Sequence, residues 1–146
     1  MAEFSKEINS KFPNEQIKAL LNIKFTANHL DNIGNTFFKP FNISEQQYNI
    51  LRILKGAKKA ITVKTIKERM VQKSPNSTRL MDKLYEKGFI ERTRCENDRR
   101  VVYVEINEKG LDLLSKIKID EIKVASSIST KEAKLLNELL DKFRNA

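Results

Sequence analysis

The chain has 146 residues with one cysteine and one histidine, and its 28 Lys and Arg residues against 19 Asp and Glu give a formal net charge of +9. A single cysteine excludes a disulfide framework and a cysteine-based zinc site within the chain. No apolar run approaches the roughly 18 residues that span a bilayer, and the N-terminus lacks the basic and apolar regions of a signal peptide, so we expect a cytoplasmic protein without a membrane partner.

The positive charge is concentrated in the middle of the chain. Residues 55–103 contain fourteen Lys or Arg against six Asp or Glu, net +8, whereas the remaining residues have fourteen against thirteen, net +1. A general lysine bias would spread the excess evenly. The concentration therefore predicts a surface that binds a polyanion.

A long helix is predicted before this basic region. Residues 1–14 are polar and irregular in pattern, and from Ile17 to about Phe38 the apolar residues recur at steps of three and four. The apolar surface of this helix extends over more than one side. In a small chain, such a surface suggests contact with a partner subunit.

Two shorter helices follow. Ser44 and Gln47 form a capping box that opens the second helix, which we expect to end at Gly56. Thr62 is the predicted cap of the third helix, which a tight connection joins to the next element. Its inner face is predicted to carry Val63, Ile66 and Met70, and its outer face Lys64, Lys67 and Arg69.

The stretch from Lys73 to Gly88 has the pattern of a DNA-recognition helix. We place Ser74 at the N-cap and Pro75 at the first helical position, and Gly88 tolerates the positive φ at which the helix must stop. A short helix, a turn and a second helix with polar first residues is the helix-turn-helix plan. The inward stripe is predicted to consist of Leu80, Leu84 and Gly88, with Ser77, Met81 and Tyr85 beside it.

The other face of this helix carries candidate DNA-binding residues. In the major groove Arg pairs with guanine and Asn with adenine, so we expect Arg79 and Asn76 to contact base edges. We expect phosphate contacts mainly from Ser74, Ser77 and Lys83. Lys73 is a further DNA-binding candidate. An ordinary amphipathic helix with a solvated face is the alternative that this helix alone leaves open.

After the recognition helix the apolar period changes from 3.6 to 2, and residues 89–94 and 101–106 read as strands around a charged turn. A β-hairpin in this position with arginines at its tip is a wing, and wing arginines can enter a narrow minor groove. We expect Arg100 to be inserted, Asp98 to support it and Arg99 to contact a phosphate. A solvated hairpin with a surface arginine pair is the alternative.

Two helices complete the chain. Asn107 is the predicted cap of a fifth helix that runs toward Ile122 and Ala125, and Thr130 the predicted cap of a final helix. The fold is therefore expected to be mainly α with a small β-hairpin wing, in a single domain of residues 1–146. Within it, residues 44–106 would form a winged helix-turn-helix lobe, and residues 15–38 and 107–146 a helical dimerisation region.

At this point the chain resembles the MarR (multiple antibiotic resistance regulator) family of winged helix-turn-helix transcription factors. The family's wing motif matches at Asp98, Arg100, Ile106 and Gly110, with Asn107 at the position where Thr is usual. Either residue caps a helix. Residues 78–84 and 87–92 also resemble the family's recognition helix and the strand after it.

The resemblance implies a homodimer whose first, fifth and sixth helices form the interface and whose two lobes bind a pseudo-palindromic double-stranded DNA operator. It implies a repressor of a nearby gene, relieved by a small phenolic or anionic effector bound between the dimerisation helices and the lobe. His29 and Tyr48 are candidates for lining an effector pocket, but neither is assigned as a site. Family members that sense oxidants use a cysteine near the start of the first helix, which this chain lacks.

Two other functions remain as alternatives. A winged helix that binds RNA or a protein partner would show no preference for a palindromic duplex. An enzyme is disfavoured for two reasons. The four glycines are dispersed, so they form no phosphate-binding loop, and one histidine and one cysteine match no catalytic motif. We therefore expect no catalytic residue, no metal site and no cofactor.

Overall fold

The computed structural model describes residues 3–146 as seven α-helices, three short 3₁₀ helices and a three-stranded antiparallel sheet. The helices are α1 (Phe4–Glu7), α2 (Glu15–Phe38), α3 (Glu45–Ala57), α4 (Val63–Arg69), α5 (Ser77–Glu86), α6 (Glu108–Lys116) and α7 (Thr130–Arg144). The strands are β1 (Ile61–Thr62), β2 (Ile90–Arg94) and β3 (Val102–Ile106), in the order β1-β3-β2. The predicted fold class, mainly α with a β-hairpin wing, is confirmed.

The N-terminal segment was expected to be irregular, but it contains the short helix α1. Phe4 is buried; its ring stacks on Phe12 with centroids 5.2 Å apart and lies 5.3 Å from the ring of Phe25 in α2. The gain from burying an aromatic ring accounts for the ordered turn. Residues 1 and 2 lie outside the described part of the chain.

Local capping predictions hold for α3 and α4. The Ser44 hydroxyl accepts a hydrogen bond from the Gln47 N–H at 3.0 Å, and the Gln47 side chain accepts from the Ser44 N–H at 2.9 Å. Thr62 caps α4 by accepting from the Thr65 N–H at 3.1 Å. The predicted stop at Gly56 is wrong, because α3 continues to Ala57, which packs against the core, and Lys58 takes the left-handed conformation instead.

The predicted start of the recognition helix is also corrected. The Ser74 hydroxyl accepts from the Asn76 N–H at 3.1 Å, and the Ser77 hydroxyl donates to the Ser74 carbonyl at 2.7 Å. These bonds close a turn over residues 74–77, so that Pro75 lies in the turn and α5 begins at Ser77. The predicted stop at Gly88 holds, since this residue has φ +79° just after the helix.

Tyr85 was predicted to pack inward beside the stripe of α5, but its side chain is 45% exposed. The guanidinium of Arg92, on the neighbouring strand β2, lies 4.3 Å from the centre of the Tyr85 ring. This cation–π contact holds α5 to the sheet from the outside. The rest of the predicted inward face holds: Ser77, Met81 and Leu84 are buried, and Leu80 packs partly buried against the core.

The C-terminal helices differ from prediction in length and capping. Helix α6 ends at Lys116, because Ile117 is buried and adopts an extended backbone that directs it toward the core. Two 3₁₀ turns, Ile119–Glu121 and Lys123–Ser127, follow in place of the predicted helical continuation. Ser129, not Thr130, caps α7, through a capping box with Glu132.

The core lies under α3. Its fully buried side chains include Ile50 and Leu51 of α3, Leu84 of α5 and Val104 of β3. Strand β1 was not predicted because two residues show no alternation; its Ile61 pairs with Val104.

Within residues 3–146, no helix has both the length and the apolar character that crossing a membrane requires.

Asn107 joins three elements and gives a first prediction. Its Oδ1 accepts from the Gly110 N–H at 2.9 Å, and its Nδ2 donates to the Gly88 carbonyl at 2.7 Å and to Glu91 at 3.0 Å. Removing a cap and two further hydrogen bonds by Asn107→Ala should lower the free energy of unfolding by about 1–3 kcal/mol in urea titrations.

Asn107→Thr is the matched control, because threonine keeps a capping oxygen but has a single donor. It should fall between wild type and Asn107→Ala. Equal stability of the alanine variant and wild type would show that these hydrogen bonds add nothing.

Candidate nucleic-acid interface

The inward packing of α5 determines which of its side chains face solvent. Met81 and Leu84 are buried in the core, and the Gln47 side chain donates to the Leu80 carbonyl at 3.3 Å, which ties the middle of α5 to α3. The opposite face is exposed and includes Arg79 and Lys83. Both predicted side chains are therefore free to meet a ligand.

The predicted residues at the start of α5 do not all share this surface. Asn76 is exposed, and its side chain makes no capping bond, so its amide is available. Lys73 is exposed and Ser74 half-buried. Ser77 is only 1% exposed and its hydroxyl is already bonded, so its side chain is a structural part of the turn and does not fit the predicted phosphate contact.

Asp82 is an acidic residue beside Lys83 on α5, and it is paired. Arg92 of β2 forms an ion pair with the Asp82 carboxylate while contacting the Tyr85 ring. The pair reduces the repulsion that a lone carboxylate would exert on a polyanion at this face. Arg92 was not among the predicted site residues; its partners lie seven and ten residues before it, on a different element.

The wing turn is held by Asp98. One carboxylate oxygen, Oδ1, accepts from the Arg100 N–H at 3.0 Å and from its Nε at 3.2 Å. The guanidinium of Arg100 projects outward and its side chain is 92% exposed. Asp98 therefore contacts both the main chain and the guanidinium of Arg100 through a single oxygen. Arg99 is also exposed, and its carbonyl accepts from Arg94 at 3.4 Å.

The wing and the helix-turn-helix motif enclose a basic cleft. This open cleft, of about 450 Å³, is lined by Val63, Lys64, Lys67, Glu68, Lys73 and Arg100. Four cations against one carboxylate favour an anionic ligand. Lys73 and Arg100 were predicted; Lys64 and Lys67 were placed on the outer face of α4 but not in the site. The rule that the first helix of such a motif crosses the DNA backbone would have added them.

A separate cavity of about 140 Å³ lies between α3, the loop before α5 and the segment after α6. Its walls include Tyr48, Arg52, Met70, Val71 and Ile119. Burial raises the pKa of the Tyr48 hydroxyl, and the charge of Arg52 opposes that rise. The cavity thus combines apolar walls, an aromatic ring, the Arg52 guanidinium and the Glu45 carboxyl, which suits a small aromatic molecule with a polar group.

Large apolar side chains are exposed on α2 and α7. On α2 they include Leu20, Leu21 and Leu30, and on α7 they include Leu135, Leu136, Leu139 and Phe143. Leu135 is 56% exposed and Leu139 49%. An apolar surface spread over two helices is typical of a protein–protein interface.

Comparisons with known proteins agree with this geometry. The model of the MarR family matches residues 43–102, which span α3 to the start of β3. The HTH-type transcriptional regulator MgrA of Staphylococcus aureus is 28% identical over 115 residues, covering 77% of this chain and 78% of the relative.

Two solved structures share the fold over nearly the whole chain. A mutant of MarR from Escherichia coli complexed with operator DNA has a TM-score of 0.77 at 24% identity, covering 92% of this chain and 99% of that one. An organohalide-sensing transcriptional regulator in its 2,4-dichlorophenol-bound form has a TM-score of 0.72 at 22% identity, covering 92% and 86%. The family match covers the helix-turn-helix and the wing turn that Asp98 and Arg100 hold, so over this part the chain is similar to the transcription regulators of the MarR family.

Proposed function

We propose that the protein is a dimeric, sequence-specific DNA-binding repressor whose binding is relieved by a small phenolic or anionic effector. The observation that carries the proposal is the basic cleft. It is lined both by Lys73, which precedes the recognition helix, and by Arg100 of the wing. A DNA strand in this cleft would leave the recognition helix in the major groove and the wing at the adjacent minor groove. Residues 44–106 would then be the DNA-binding lobe.

Each DNA-binding side chain has a proposed role. Arg79 and Asn76 would contact base edges, because residues at the start of a recognition helix lie deepest in the groove. Lys83 and Arg99 would contact phosphates. The other proposed phosphate contacts are Lys73, Ser74, Lys64 and Lys67, which lie on or beside the cleft.

The exposed apolar faces of α2 and α7 support a dimer, with residues 15–38 and 107–146 as the dimerisation region. A two-fold dimer presents two recognition helices, and such dimers bind half-sites about one helical turn apart. A pseudo-palindromic operator is therefore part of the proposal.

The cavity beside Tyr48 and Arg52 supports the effector. The cavity lies between the lobe and the segment after α6, which belongs to the proposed dimerisation region. A bound molecule would therefore shift the lobe relative to the dimerisation region. The neighbour determined with 2,4-dichlorophenol shows that a protein of this fold accommodates a phenol. For this chain, 2,4-dichlorophenol and benzoate are suitable first probes.

Selection of bound duplexes from a random pool, followed by footprinting on DNA upstream of the protein's own gene, tests the proposal. We expect a pseudo-palindromic consensus, a particle of twice the 17.0 kDa chain mass by light scattering, and weaker operator binding with a probe phenol. A monomer that selects no consensus would overturn the proposal. Tighter binding to RNA than to any duplex would favour the alternative winged-helix function.

The wing provides a second prediction, about groove shape. A narrow A-tract minor groove attracts arginine, and Asp98 orients Arg100, so the protein should bind operators with A-tract flanks better than operators with G·C flanks. Arg100→Ala should lose this preference, and Asp98→Ala should lose part of it. Titrations at one fixed salt concentration, with identical half-sites, measure the effect.

Arg99→Ala is the matched control for the wing. This variant removes the charge next to Arg100 but leaves Arg100 and Asp98 in place. It should therefore weaken DNA binding yet retain the preference for A-tract flanks. An Arg100→Ala variant with the full preference would point to Arg99 or Arg94 instead.

A further inference from the structure

The loop before the recognition helix is tied to two other helices through Gln72. Its Nε2 donates to Asp31 Oδ1 of α2 at 2.9 Å, and its Oε1 accepts from Gln46 Nε2 of α3 at 3.0 Å. The adjacent Val71 N–H donates to Asn49 Oδ1 of α3 at 3.0 Å. Both ends of the Gln72 amide are thus occupied, four residues before Asn76.

The hydrogen bond between Gln72 and Asp31 connects α2 to the proposed DNA-binding lobe. Among residues 3–146, it is the only side-chain hydrogen bond between α2 and residues 44–106. The helices approach closely beside it, where Glu45 packs on Gly34; a Cβ on Gly34 would lie 2.4 Å from a Glu45 oxygen. Burial and the charge of Asp31 raise the pKa of the Glu45 carboxyl.

We propose that Gln72 is a positioning residue that fixes the start of the recognition helix relative to α2. The proposal rests on the function proposed above, in which α2 belongs to the dimer interface. In a dimer, a small rotation of each lobe about α2 changes the distance between the two recognition helices. The Gln72–Asp31 bond restrains that rotation and so sets the half-site spacing that the protein accepts.

Half-site spacing is the readout that separates positioning from general stability. A stability defect lowers affinity for every duplex alike, whereas a lost restraint changes the ratio between duplexes. The selected operator should be compared with versions whose half-sites are moved by one or two base pairs, using wild type, Gln72→Ala and Asp31→Ala. Thermal unfolding confirms that each variant is folded.

Two matched controls use α2 itself. Asp31→Asn keeps an oxygen that accepts from Gln72, so it should behave as wild type. Asn35 lies one turn from Asp31 on α2, and both line a surface groove with Gln72. The Asn35 side chain makes no hydrogen bond within the described residues. Asn35→Ala should therefore also behave as wild type.

We expect Gln72→Ala and Asp31→Ala to reduce the discrimination between operator spacings by about threefold to tenfold, the factor that one hydrogen bond can supply. The double variant should be no more relaxed than Gln72→Ala alone, since that variant already lacks the bond to Asp31. If both single variants keep the wild-type spacing preference, this proposal is overturned while DNA binding stands. If wild type itself binds no duplex specifically, the proposed function fails instead.

Discussion

Replacing Arg79 with alanine should weaken binding to the selected operator by about 1–3 kcal/mol per half-site and relax the base preference at one position of each. The expectation follows from three features of the structure. Arg79 is exposed, it lies in the first turn of α5, and that helix is anchored to the core by Met81 and Leu84. A bidentate contact between arginine and guanine supplies discrimination of this size.

Lys83→Ala is the matched control, because Lys83 lies one turn further along the same exposed face. Loss of a phosphate contact should weaken binding to all sequences alike and reduce the salt slope by about one unit. Both variants are measured against the operator and a scrambled duplex over a salt series. If Arg79→Ala lowers specific and non-specific binding by the same factor, Arg79 is a phosphate contact.

The second large effect is expected at the proposed dimer interface. Leu139→Glu places a carboxylate on each copy of the α7 face that carries Leu135, Leu136 and Phe143. Burying an unpaired charge costs several kcal/mol, so the variant should be a monomer of 17.0 kDa at micromolar concentration. Operator affinity should then fall by about 100-fold or more, because the second half-site no longer adds to the first.

Asn137→Glu is the control for this experiment. Asn137 is exposed on the same helix, two residues from Leu139 and thus on the other side. The control adds the same charge without entering the apolar face, so its mass and affinity should match those of wild type. A Leu139→Glu protein that remains a dimer with full affinity would place the interface elsewhere.

The similarity to this family also bears on the class of function. Relatives of the chain are transcription regulators, which confirms the prediction that it is not an enzyme. The individual DNA contacts, the division of the chain into lobe and dimerisation region, and the effector remain proposals. The variants of Arg79 and Arg100 test the DNA contacts, those of Gln72 and Leu139 test the lobe and the dimerisation region, and the probe phenols test the effector.

Local sequence by itself determined several helix boundaries, although the predicted caps at Ser74 and Thr130 were wrong. The caps at Ser44, Thr62 and Asn107 occur where predicted, and Gly88 ends the recognition helix. The wing motif likewise predicted the contact between Asp98 and Arg100. In each case the donor and acceptor are so close along the chain that residue type and spacing are sufficient.

Only the tertiary structure decided the features that join distant parts of the chain. Ile117 ends α6 because the core accepts it, and Tyr85 faces outward because Arg92 lies across from it. The cleft brings Lys64 and Lys67 of α4 to the wing. A periodic pattern shows which face of an element is apolar, but not what lies opposite that face. Contacts across tens of residues depend on how the elements pack, so the cleft and the bond between Gln72 and Asp31 became visible only in the folded chain.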